Sequence, residues 1–407
     1  MWYRNLIICP FSKLCALNIS CVRIFALTLL LLQISCKSKS SWESRDSYFK
    51  SFDCPTIGEK DIRISKLDLN KIEFDSIHTS FIGSVFHRLD TLYFVDYRFG
   101  WVFQFDLDGR LLGRTLGRGK GPSELPTAII DACQFGKTGQ SIFIGPSSDV
   151  HVFDKEWNRG KSFFIDHEYS RGELHDSLRL SPNNPGIYGI EYLKFFIRLG
   201  DKCFYMPVVA GKQEIFKPYY SIEHYYQTFI IAKVEMNTGK IIELFGKRTP
   251  LLTDYQFLSQ FRYISFDVDY QKRFYVCHEI DSLIYIYNQD RSIHSKFGFS
   301  GLDMVCDYKG YSGGFDRTKL IKDRESLSYY DWIEIIDETG ILFRSYVRGP
   351  HSDYDGLQIY QDGNLIGDVN VPKGFRVISY RKPYYYSNGF INDEAESIWS
   401  YRFKLNP

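Results

Sequence analysis

The fold is decided by the stretch Leu92-Tyr93-Phe94-Val95-Asp96, followed after a polar turn by Val102-Phe103-Gln104-Phe105-Asp106-Leu107-Asp108-Gly109. The first run is apolar, as in a buried strand, and the second alternates, as in a strand with one buried face. The Asp and Gly residues that end it are typical of a tight turn into a further strand. The stretch therefore predicts two neighbouring antiparallel strands and the start of a third.

Copies of this two-strand unit recur along the chain, at residues 141–154, 274–288 and 341–363, with a weaker copy at 229–240. The positions that we take as equivalent in the second strands are Phe105, Phe153, Val234, Ile286 and Ile359. Two steps between them are roughly 50 residues, close to the length of a four-stranded propeller blade. The longer steps require insertions, which we expect at 169–200 and 307–330, with a short charged surface helix within 317–328.

The repeat predicts an all-β fold, a β-propeller with short helical or loop insertions. From about residue 61 to the C-terminus there is room for roughly six blades. A ring of blades is favoured because radial repetition leaves few open sheet edges. We expect residues 398–403 to close the ring by pairing with an N-terminal strand such as 62–67. A decorated β-sandwich is the rival architecture, but the repeated hairpin argues against it.

The N-terminus carries the features of a lipoprotein signal. An apolar run at 24–32 follows three basic residues and no acidic ones, and it leads into Gln33-Ile34-Ser35-Cys36. The run is too short to span a bilayer. The four residues resemble the bacterial lipobox, although Gln33 stands where leucine is usual. We predict a signal peptide over 1–35, lipid on Cys36, a tether over 36–58 and the propeller over 59–407. An ordinary signal peptide or an uncleaved anchor is the alternative.

The composition argues against nucleic acid as a partner. Lys and Arg number 50 and Asp and Glu 49, a formal net charge of +1, and this near-neutral balance gives no electrostatic case for binding phosphates. The nine cysteines include no CxxC pair, which gives no support for a disulfide framework or a zinc site. Cys203 and Cys277 lie in apolar runs, where we expect them to be buried as small hydrophobic residues.

Two glycine-containing segments invite a ligand-binding interpretation. The segment Gly117-Arg118-Gly119-Lys120-Gly121 lacks the spacing of a phosphate-binding P-loop. We expect it to be a loop between blades, and alternatively a nest of backbone amides that binds an anion with help from Arg118 and Lys120. Residues 106–109 place carboxylates as a calcium loop would, but the later ligands of such a loop are missing. A hairpin turn is therefore favoured there.

No motif identifies a catalytic residue, a metal ligand or a cofactor. The nine histidines show none of the spacings HxH, HxxxH or HExxH, and no GxSxG nucleophile elbow is present. We therefore predict no catalytic residue, no metal and no cofactor. Distant histidines or carboxylates that meet on a propeller axis would escape such a search.

Tyrosines cluster beside the predicted turns and insertions. Because neighbouring strand residues face opposite ways, about half of each cluster can be exposed to a partner or a sugar. The candidates for ligand binding are Tyr219, Tyr226, Tyr330 and Tyr385. The alternative for each is packing between blades.

The run from Phe105 to Gly109, which leads into residues 117–124, resembles the envelope lipoproteins of Bacteroides-type bacteria that carry a six-bladed propeller. Residues 328–332 and 342–346 are similar to their strand, acidic turn and aromatic-Arg strand. The resemblance implies architecture and location and no catalytic residue. In those bacteria, surface export tends to need acidic residues directly after the lipidated cysteine. Here Lys37 and Lys39 stand there, which favours the periplasmic face of the outer membrane.

The sequence thus predicts a lipid-anchored propeller of the cell envelope that binds a protein, a peptide or a glycan. The alternative is a propeller enzyme, a lyase or hydrolase with its site at the central channel. Two or three histidines, or a carboxylate pair with a basic residue, converging at one mouth of the channel would favour the enzyme. A mouth lined by tyrosine and asparagine would favour binding.

Overall fold

The structure, a computed structural model, describes residues 50–132, 139–167, 181–190, 194–210, 226–254, 261–310 and 317–405. Nearly all of them belong to one compact unit, Phe52–Pro407. Cys36 and its neighbours lie outside the described residues. In the described part of the chain, no helix is long and apolar enough to cross a membrane.

Six sheets of four or five strands follow one another along this unit as the blades of a β-propeller. Two strands precede them, β1 (Lys60–Ile64) and β2 (Asn70–Glu73). Blade 1 contains β3 (Gly83–Arg88), β4 (Thr91–Asp96), β5 (Trp101–Phe105) and β6 (Leu111–Leu116). Blade 2 contains β7 (Asp131–Ala132), β8 (Ser141–Ile144), β9 (Asp149–Phe153) and β10 (Arg159–Phe164).

Blade 3 is the least regular, because a small two-stranded sheet lies beside it. Its segment contains β11 (Tyr188–Gly189), β12 (Arg198–Leu199), β13 (Cys203–Pro207), β14 (Val209–Ala210), β15 (Ile231–Glu235) and β16 (Ile241–Phe245). Strands β12, β13, β15 and β16 form the blade, and β11 pairs with β14. A 3-10 turn, Pro185–Ile187, precedes β11, and a short helix α1, Leu251–Asp254, follows β16.

The last three blades complete the ring. Blade 4 contains β17 (Ile264–Val268), β18 (Phe274–His278), β19 (Ile284–Tyr287) and β20 (Ile293–Phe297). Helix α2 (Arg317–Ser326) leads into blade 5, which contains β21 (Tyr329–Ile336), β22 (Ile341–Val347), β23 (Asp355–Gln361) and β24 (Asn364–Val371). Blade 6 contains β25 (Val377–Arg381), β26 (Tyr384–Ser387), β27 (Phe390–Asn392) and β28 (Ser397–Phe403).

The prediction of an all-β, six-bladed propeller is confirmed. All five positions taken as equivalent lie in the third strand of their blades, namely β5, β9, β15, β19 and β23. The predicted surface helix is α2. Cys203 and Cys277 are buried, as expected, at 8% and 1% exposure. The turn at Asp106 is a hairpin turn, in which its carboxylate accepts hydrogen bonds from the N–H groups of Asp108 and Arg110.

The first strand of each blade is the innermost, since β17 contacts β21, β21 contacts β25 and β25 contacts β3. All blades share one antiparallel connectivity, so the amino-terminal ends of these inner strands lie on one face of the ring. We call the opening of the central channel on this face the channel mouth. Turns between second and third strands reach the same face.

The N-terminal belt, residues 52–75, seals the outer edges of four blades in succession. On blade 4, Lys296 exchanges backbone hydrogen bonds with the Pro55 carbonyl and the Ile57 N–H, at 3.0 and 2.8 Å. Strand β1 then adds in parallel to β24 of blade 5, and β2 adds antiparallel to β28 of blade 6. Finally, Asp75 donates to the Gly109 carbonyl of blade 1 at 2.8 Å. The belt therefore supplies the fourth strand of blade 6 and closes the ring.

The predicted closing strand, 62–67, was wrong. Residue Ile62 lies in β1 on blade 5, where it is 43% exposed, and the strand that pairs with β28 is β2. The physical reason is burial: Ile72 of β2 is 3% exposed in the apolar layer between blades 6 and 1. The compact unit begins at Phe52, whose ring packs against Tyr285 at 5.0 Å, and the tether over 36–58 stays a prediction.

Apolar layers between neighbouring blades form the core. The layer between blades 6 and 1 contains Ile72, Phe105 and Ile398, and the layer between blades 2 and 3 contains Val150 and Phe204. Each such side chain contributes about 1.5–3 kcal/mol on burial, against about 0.5–1.5 kcal/mol net for a hydrogen bond. Contacts between blades therefore stabilise the ring at least as much as the hydrogen bonds within each blade.

One buried guanidinium joins blades 4 and 5. Arg344 of β22 is fully buried and donates to the carbonyls of Ser282 and Phe299, both at 2.8 Å, and to Gln358. Its guanidinium also lies 3.9 Å from the ring centre of Tyr330. The aromatic-Arg strand noted in the sequence therefore has a structural role at this blade boundary.

Candidate functional site

Charged side chains from four blades meet at the channel mouth. Glu279, in the turn after β18, is fully buried and accepts two hydrogen bonds from Arg324 of α2, at 2.9 and 3.0 Å. Arg376, just before β25, donates to Asp331 of β21 at 2.6 Å. Lys194, just before β12, lies between the two carboxylates, 3.6 Å from Glu279 and 3.8 Å from Asp331. We call these five residues the mouth cluster.

A second charged group lies further along the inner strands. Arg198 of β12 reaches Asp267 of β17 at 3.0 Å and Glu334 of β21 at 2.6 Å, and it also donates to the Phe266 and Ile333 carbonyls at 3.2 and 3.3 Å. All three charged side chains are buried. One guanidinium therefore joins the inner strands of blades 3, 4 and 5. We call Arg198, Asp267 and Glu334 the channel clamp.

The two charged groups differ in their ratio of cations to carboxylates. In the clamp, burial raises the pKa of Glu334 to about 8, and the neighbouring Asp267 adds to this, while Arg198 opposes it. Burial also raises the pKa of Asp267. In the mouth cluster, burial acts in the same direction on Asp331, but Arg376 and Lys194 outweigh it and lower its pKa. Two carboxylates that share one guanidinium therefore retain a proton near neutral pH.

An indole ring lines the channel between the two groups. Trp332 is partly exposed, and the guanidinium of Arg198 lies 4.8 Å from its ring centre and that of Arg376 5.1 Å. The ring of Phe196 meets the indole edge-on, with 5.3 Å between the ring centres. The indole N–H of Trp332 donates a hydrogen bond to Glu334 at 3.1 Å. Trp332 thus has cation–π, aromatic and hydrogen-bonding contacts that fix its orientation.

A cavity opens beside the mouth cluster, between blades 3 and 4. The free space between its walls is about 250 Å³ with open solvent included, and the enclosed part has room for about one water-sized group. It is lined by Lys194, Pro207, Val208, Val209, Ile230, Arg262, Tyr263 and Ile264. The walls are largely apolar, with two cationic side chains. The Lys194 side chain is 8% exposed, and among the described residues its nearest acceptors lie at 3.5 Å (the Tyr330 carbonyl), 3.6 Å (Glu279) and 3.8 Å (Asp331). No described residue bonds closely to the ammonium, which leaves room for a shorter bond to a ligand oxygen.

A metal site is not evident in the part of the chain that the structure describes. There, no three or more His, Cys, Asp or Glu side chains are grouped so that they could hold a metal ion. The chemistry at the mouth is that of fixed charges, an aromatic ring and apolar walls. Such an arrangement can bind a small anionic group and orient it.

The two basic candidates lie on the loop that leads from blade 1 into blade 2. Arg118 and Lys120 are both exposed. The N–H of Gly121 donates to the Glu124 carboxylate at 2.7 Å, and a Cβ atom at Gly119 would lie 2.0 Å from the same oxygen. The chain's own carboxylate therefore occupies the place that an anion would take in this loop. Anion binding by Arg118 and Lys120 stays a prediction.

Three of the four candidate tyrosines are buried, and for Tyr330 and Tyr385 the cause is that adjacent blades cover both faces of their strands. Tyr226 is 9% exposed and donates to the Leu252 carbonyl, and Tyr330 is 2% exposed beneath Arg344. Tyr385 is 5% exposed and stacks on Phe403. The packing alternative describes these three rings, which lie in different blades. Tyr219 lies outside the described residues, and ligand contact by any of the four stays a prediction.

The mouth cluster and the channel clamp were not predicted from the sequence, because their members come from segments far apart in the chain. A signal was nevertheless present. Arg198, Asp267 and Glu334 each stand as a single charge within an apolar run. A charge in a buried strand must be paired, so such residues predict partners on neighbouring blades.

The raised pKa of Glu334 predicts a pH dependence of stability. Its pKa rises from 4.5 to about 8 on folding, so the folded state binds the extra proton across that range. The associated stabilisation is complete below about pH 4.5 and is lost as the pH rises through 8, by up to about 1.4 kcal/mol per pH unit. In Glu334→Gln, which needs no proton, the free energy of unfolding should fall less between pH 5 and 9. Urea unfolding followed by tryptophan fluorescence measures this, and equal slopes in both proteins would contradict it.

Two solved structures share the architecture. A member of the duf4221 family from Bacteroides vulgatus has a TM-score of 0.60 at 12% identity, over 84% of this chain and 99% of its own. A Bacteroides fragilis protein whose name describes it as exported has a TM-score of 0.51 at 11% identity, over 86% and 99%. No family model and no curated protein matches the sequence. At these identities the similarity shows the fold alone: in fold, this six-bladed propeller is similar to these two Bacteroides proteins.

Proposed function

We propose that the protein is a lipid-anchored binding module of the cell envelope, held on the periplasmic face of the outer membrane by Cys36. We further propose that its ligand carries a carboxylate, on a peptide or an acidic glycan, which enters the cavity beside the mouth cluster. The rigid ring, the preformed cavity and its two cations support this proposal.

A single observation carries the proposal, namely the setting of Lys194. A nearly buried ammonium normally has short bonds to fixed acceptors, because desolvating it is costly. Here the contacts to Glu279 and Asp331 are both longer than 3.5 Å, and the ammonium borders open space. A ligand carboxylate at that place would complete the coordination of Lys194.

The size and walls of the cavity restrict the ligand group. Its enclosed part has room for about one water-sized group, so it admits the carboxylate of a ligand while the rest of the ligand stays outside it. Val208, Ile230 and Ile264 provide apolar walls, while Tyr263 and Arg262 provide polar contacts at the edge. The occupant is therefore the end of a larger molecule, with an apolar face and one carboxylate.

Replacing Lys194 by methionine should weaken ligand binding while the fold is retained. Losing a charged hydrogen-bond partner costs about 1.5–3 kcal/mol, which is a factor of roughly 10 to 150 in Kd. Calorimetric titration of the domain from Ser40 to Pro407 would compare peptides with a free carboxylate against their amides, and acidic against neutral glycans. Lys155→Met, a surface lysine of blade 2, is the matched control.

The outcome of this titration is decisive for the site. Binding of the carboxylate form alone, lost in Lys194→Met and kept in Lys155→Met, would support the cavity as the ligand site. Binding of amide and free acid with equal affinity would contradict a carboxylate ligand. Equal affinity of both lysine variants would place the ligand elsewhere on the molecule.

The lipid anchor has its own test. The lipobox-like segment before Cys36 supports the anchor, and a structural neighbour named as exported supports an envelope location. Cells grown with radiolabelled palmitate should label the chain, and Cys36→Ala should abolish the label, because no other thiol lies at the cleavage point. Cys54→Ala serves as the control and should stay labelled. Label that persists in Cys36→Ala would overturn the assignment.

A hydrolase or lyase at the channel is the second candidate function. It is favoured by one observation, the convergence of two carboxylates and a basic residue in the channel clamp. It ranks lower because both oxygens of Asp267 and Oε2 of Glu334 are already engaged by Arg198, Trp332 and the Ile335 N–H. Turnover of a substrate that Glu334→Gln abolishes, without loss of carboxylate binding, would reverse this ranking.

A further inference from the structure

Three polar side chains on the two outer strands of blade 2 are linked by hydrogen bonds. His151 of β9 lies between Asp149 of the same strand and Ser162 of β10. Its Nε2 atom is 2.9 Å from Asp149 Oδ2, and its Nδ1 atom is 2.9 Å from Ser162 Oγ. The strand register explains the contact, because His151 and Ser162 are directly paired across β9 and β10.

The chemistry of the partners assigns the proton on the imidazole. The Asp149 carboxylate only accepts hydrogen bonds, so Nε2 of His151 carries the proton and donates to it. Nδ1 is then the acceptor for the hydroxyl of Ser162. Asp149 is held ionised: burial opposes ionisation, but hydrogen bonds from Thr127 and His151 outweigh it and lower the carboxyl pKa. This is the protonation pattern in which histidine acts as a general base toward a hydroxyl.

Solvent exposure increases from Asp149 and His151 to Ser162, which is the order required if Ser162 is the nucleophile. Asp149 and His151 are each 5% exposed, whereas Ser162 lies exposed on the outermost strand of the blade. The Asp149–His151 pair is thus shielded, and the group that it activates is the one that solvent reaches. The exposed Ser292, in the turn before β20, by contrast bonds to Asp290 with no imidazole between them.

The basic loop between blades 1 and 2 borders this strand. Thr127, at the end of the loop, donates to Asp149 Oδ2 at 2.5 Å, and the Pro122 carbonyl accepts from the N–H of Arg159 in β10 at 2.9 Å. Arg159 in turn donates from its side chain to the Glu124 carbonyl at 3.1 Å. The loop therefore fixes both the carboxylate and the strand that carries the nucleophile.

We propose that Ser162, His151 and Asp149 form an acyl-transfer site that hydrolyses carboxylic esters, with Ser162 as the nucleophile. Its Oγ atom bonds to the acyl carbon as the bond from that carbon to the alcohol oxygen breaks, and its proton passes through His151 Nδ1 to the departing alcohol. Water then attacks the acyl-serine and gives its proton to Nδ1, from which it returns to Ser162. The products are a carboxylic acid and an alcohol. Asp149 is a positioning residue, since it acts through His151.

The test uses the full chain with p-nitrophenyl acetate, together with a fluorophosphonate probe that labels activated serines. General-base activation contributes about 100- to 10,000-fold, so hydrolysis by the wild type should exceed that by Ser162→Ala at least about 100-fold. Fluorophosphonate label and the acetyl adduct should map to Ser162. His151→Gln should lose both signals, and Ser292→Ala, the matched exposed serine, should retain them.

The variant Asp149→Asn distinguishes a role of Asp149 in positioning His151 for catalysis from a role in folding alone. Loss of the carboxylate should lower the rate and shift the rising limb of its pH profile to lower pH, because the imidazolium is no longer stabilised. Circular dichroism verifies that each variant is folded, and Ser162→Ala, on an exposed edge, keeps the test valid if a buried substitution fails to fold. Absence of label on the wild-type protein, or undiminished hydrolysis in Ser162→Ala, would overturn the proposal. Neither result bears on carboxylate binding at Lys194.

Discussion

Closure of the ring by the N-terminal belt is the constraint on which the rest of the structure depends. A propeller opened between its first and last blades would expose a sheet edge and an apolar layer. Here β2 completes blade 6 by pairing with β28, and the layer behind it contains Ile72 and Ile398. Asp75 then bonds to Gly109 of blade 1, whose φ of 89° and close approach to the Glu73 carbonyl leave no space for a side chain.

Buried charges set the relative positions of the blades inside this closed ring. Arg344 joins blades 4 and 5, Arg198 joins blades 3, 4 and 5, and Glu279 connects blade 4 to helix α2. Desolvation offsets much of the attraction in such pairs, so their net contribution to stability is small. Removing one partner is costly, however, because it leaves a buried charge unpaired. These pairs therefore specify one arrangement of inner strands, and the cavity beside Lys194 follows from it.

The local repeat could be predicted from the sequence, whereas the pairing of distant segments could not. The apolar and polar alternation in residues 92–109 reflects contacts between strands that are close in sequence. The copies of this two-strand unit identified the third strands of five blades. The closing strand was wrongly assigned to 62–67 because Ile62 and Ile64 look more strand-like than Asn70–Glu73. Which of the two reaches blade 6 depends on the path of the belt. The site was not predictable for the same reason: Lys194, Asp331 and Arg376 become neighbours only when three blades meet.

The tyrosine candidates show the limit of a residue-by-residue argument. Adjacent tyrosines on a strand face opposite ways, which suggests exposure of one of them. In a propeller, however, neighbouring blades cover both faces of a strand, and Tyr330 and Tyr385 are buried. The surfaces that remain for function are the channel mouth and the outer edges of the blades. The proposed carboxylate cavity lies at the mouth, and Ser162 lies at an outer edge.

Amide hydrogen exchange tests most directly whether the belt closes the ring. In the wild-type chain, the amides of β28 should exchange as slowly as those of β4, an interior strand of blade 1. Ile72→Ala removes about 2–4 kcal/mol of buried packing and should accelerate β28 roughly 30- to 1,000-fold, together with the inner strands at the mouth. Glu73→Ala, an exposed position on the same strand, should leave these rates unchanged. Fast exchange of β28 in the wild type, or no response to Ile72→Ala, would contradict closure by β2.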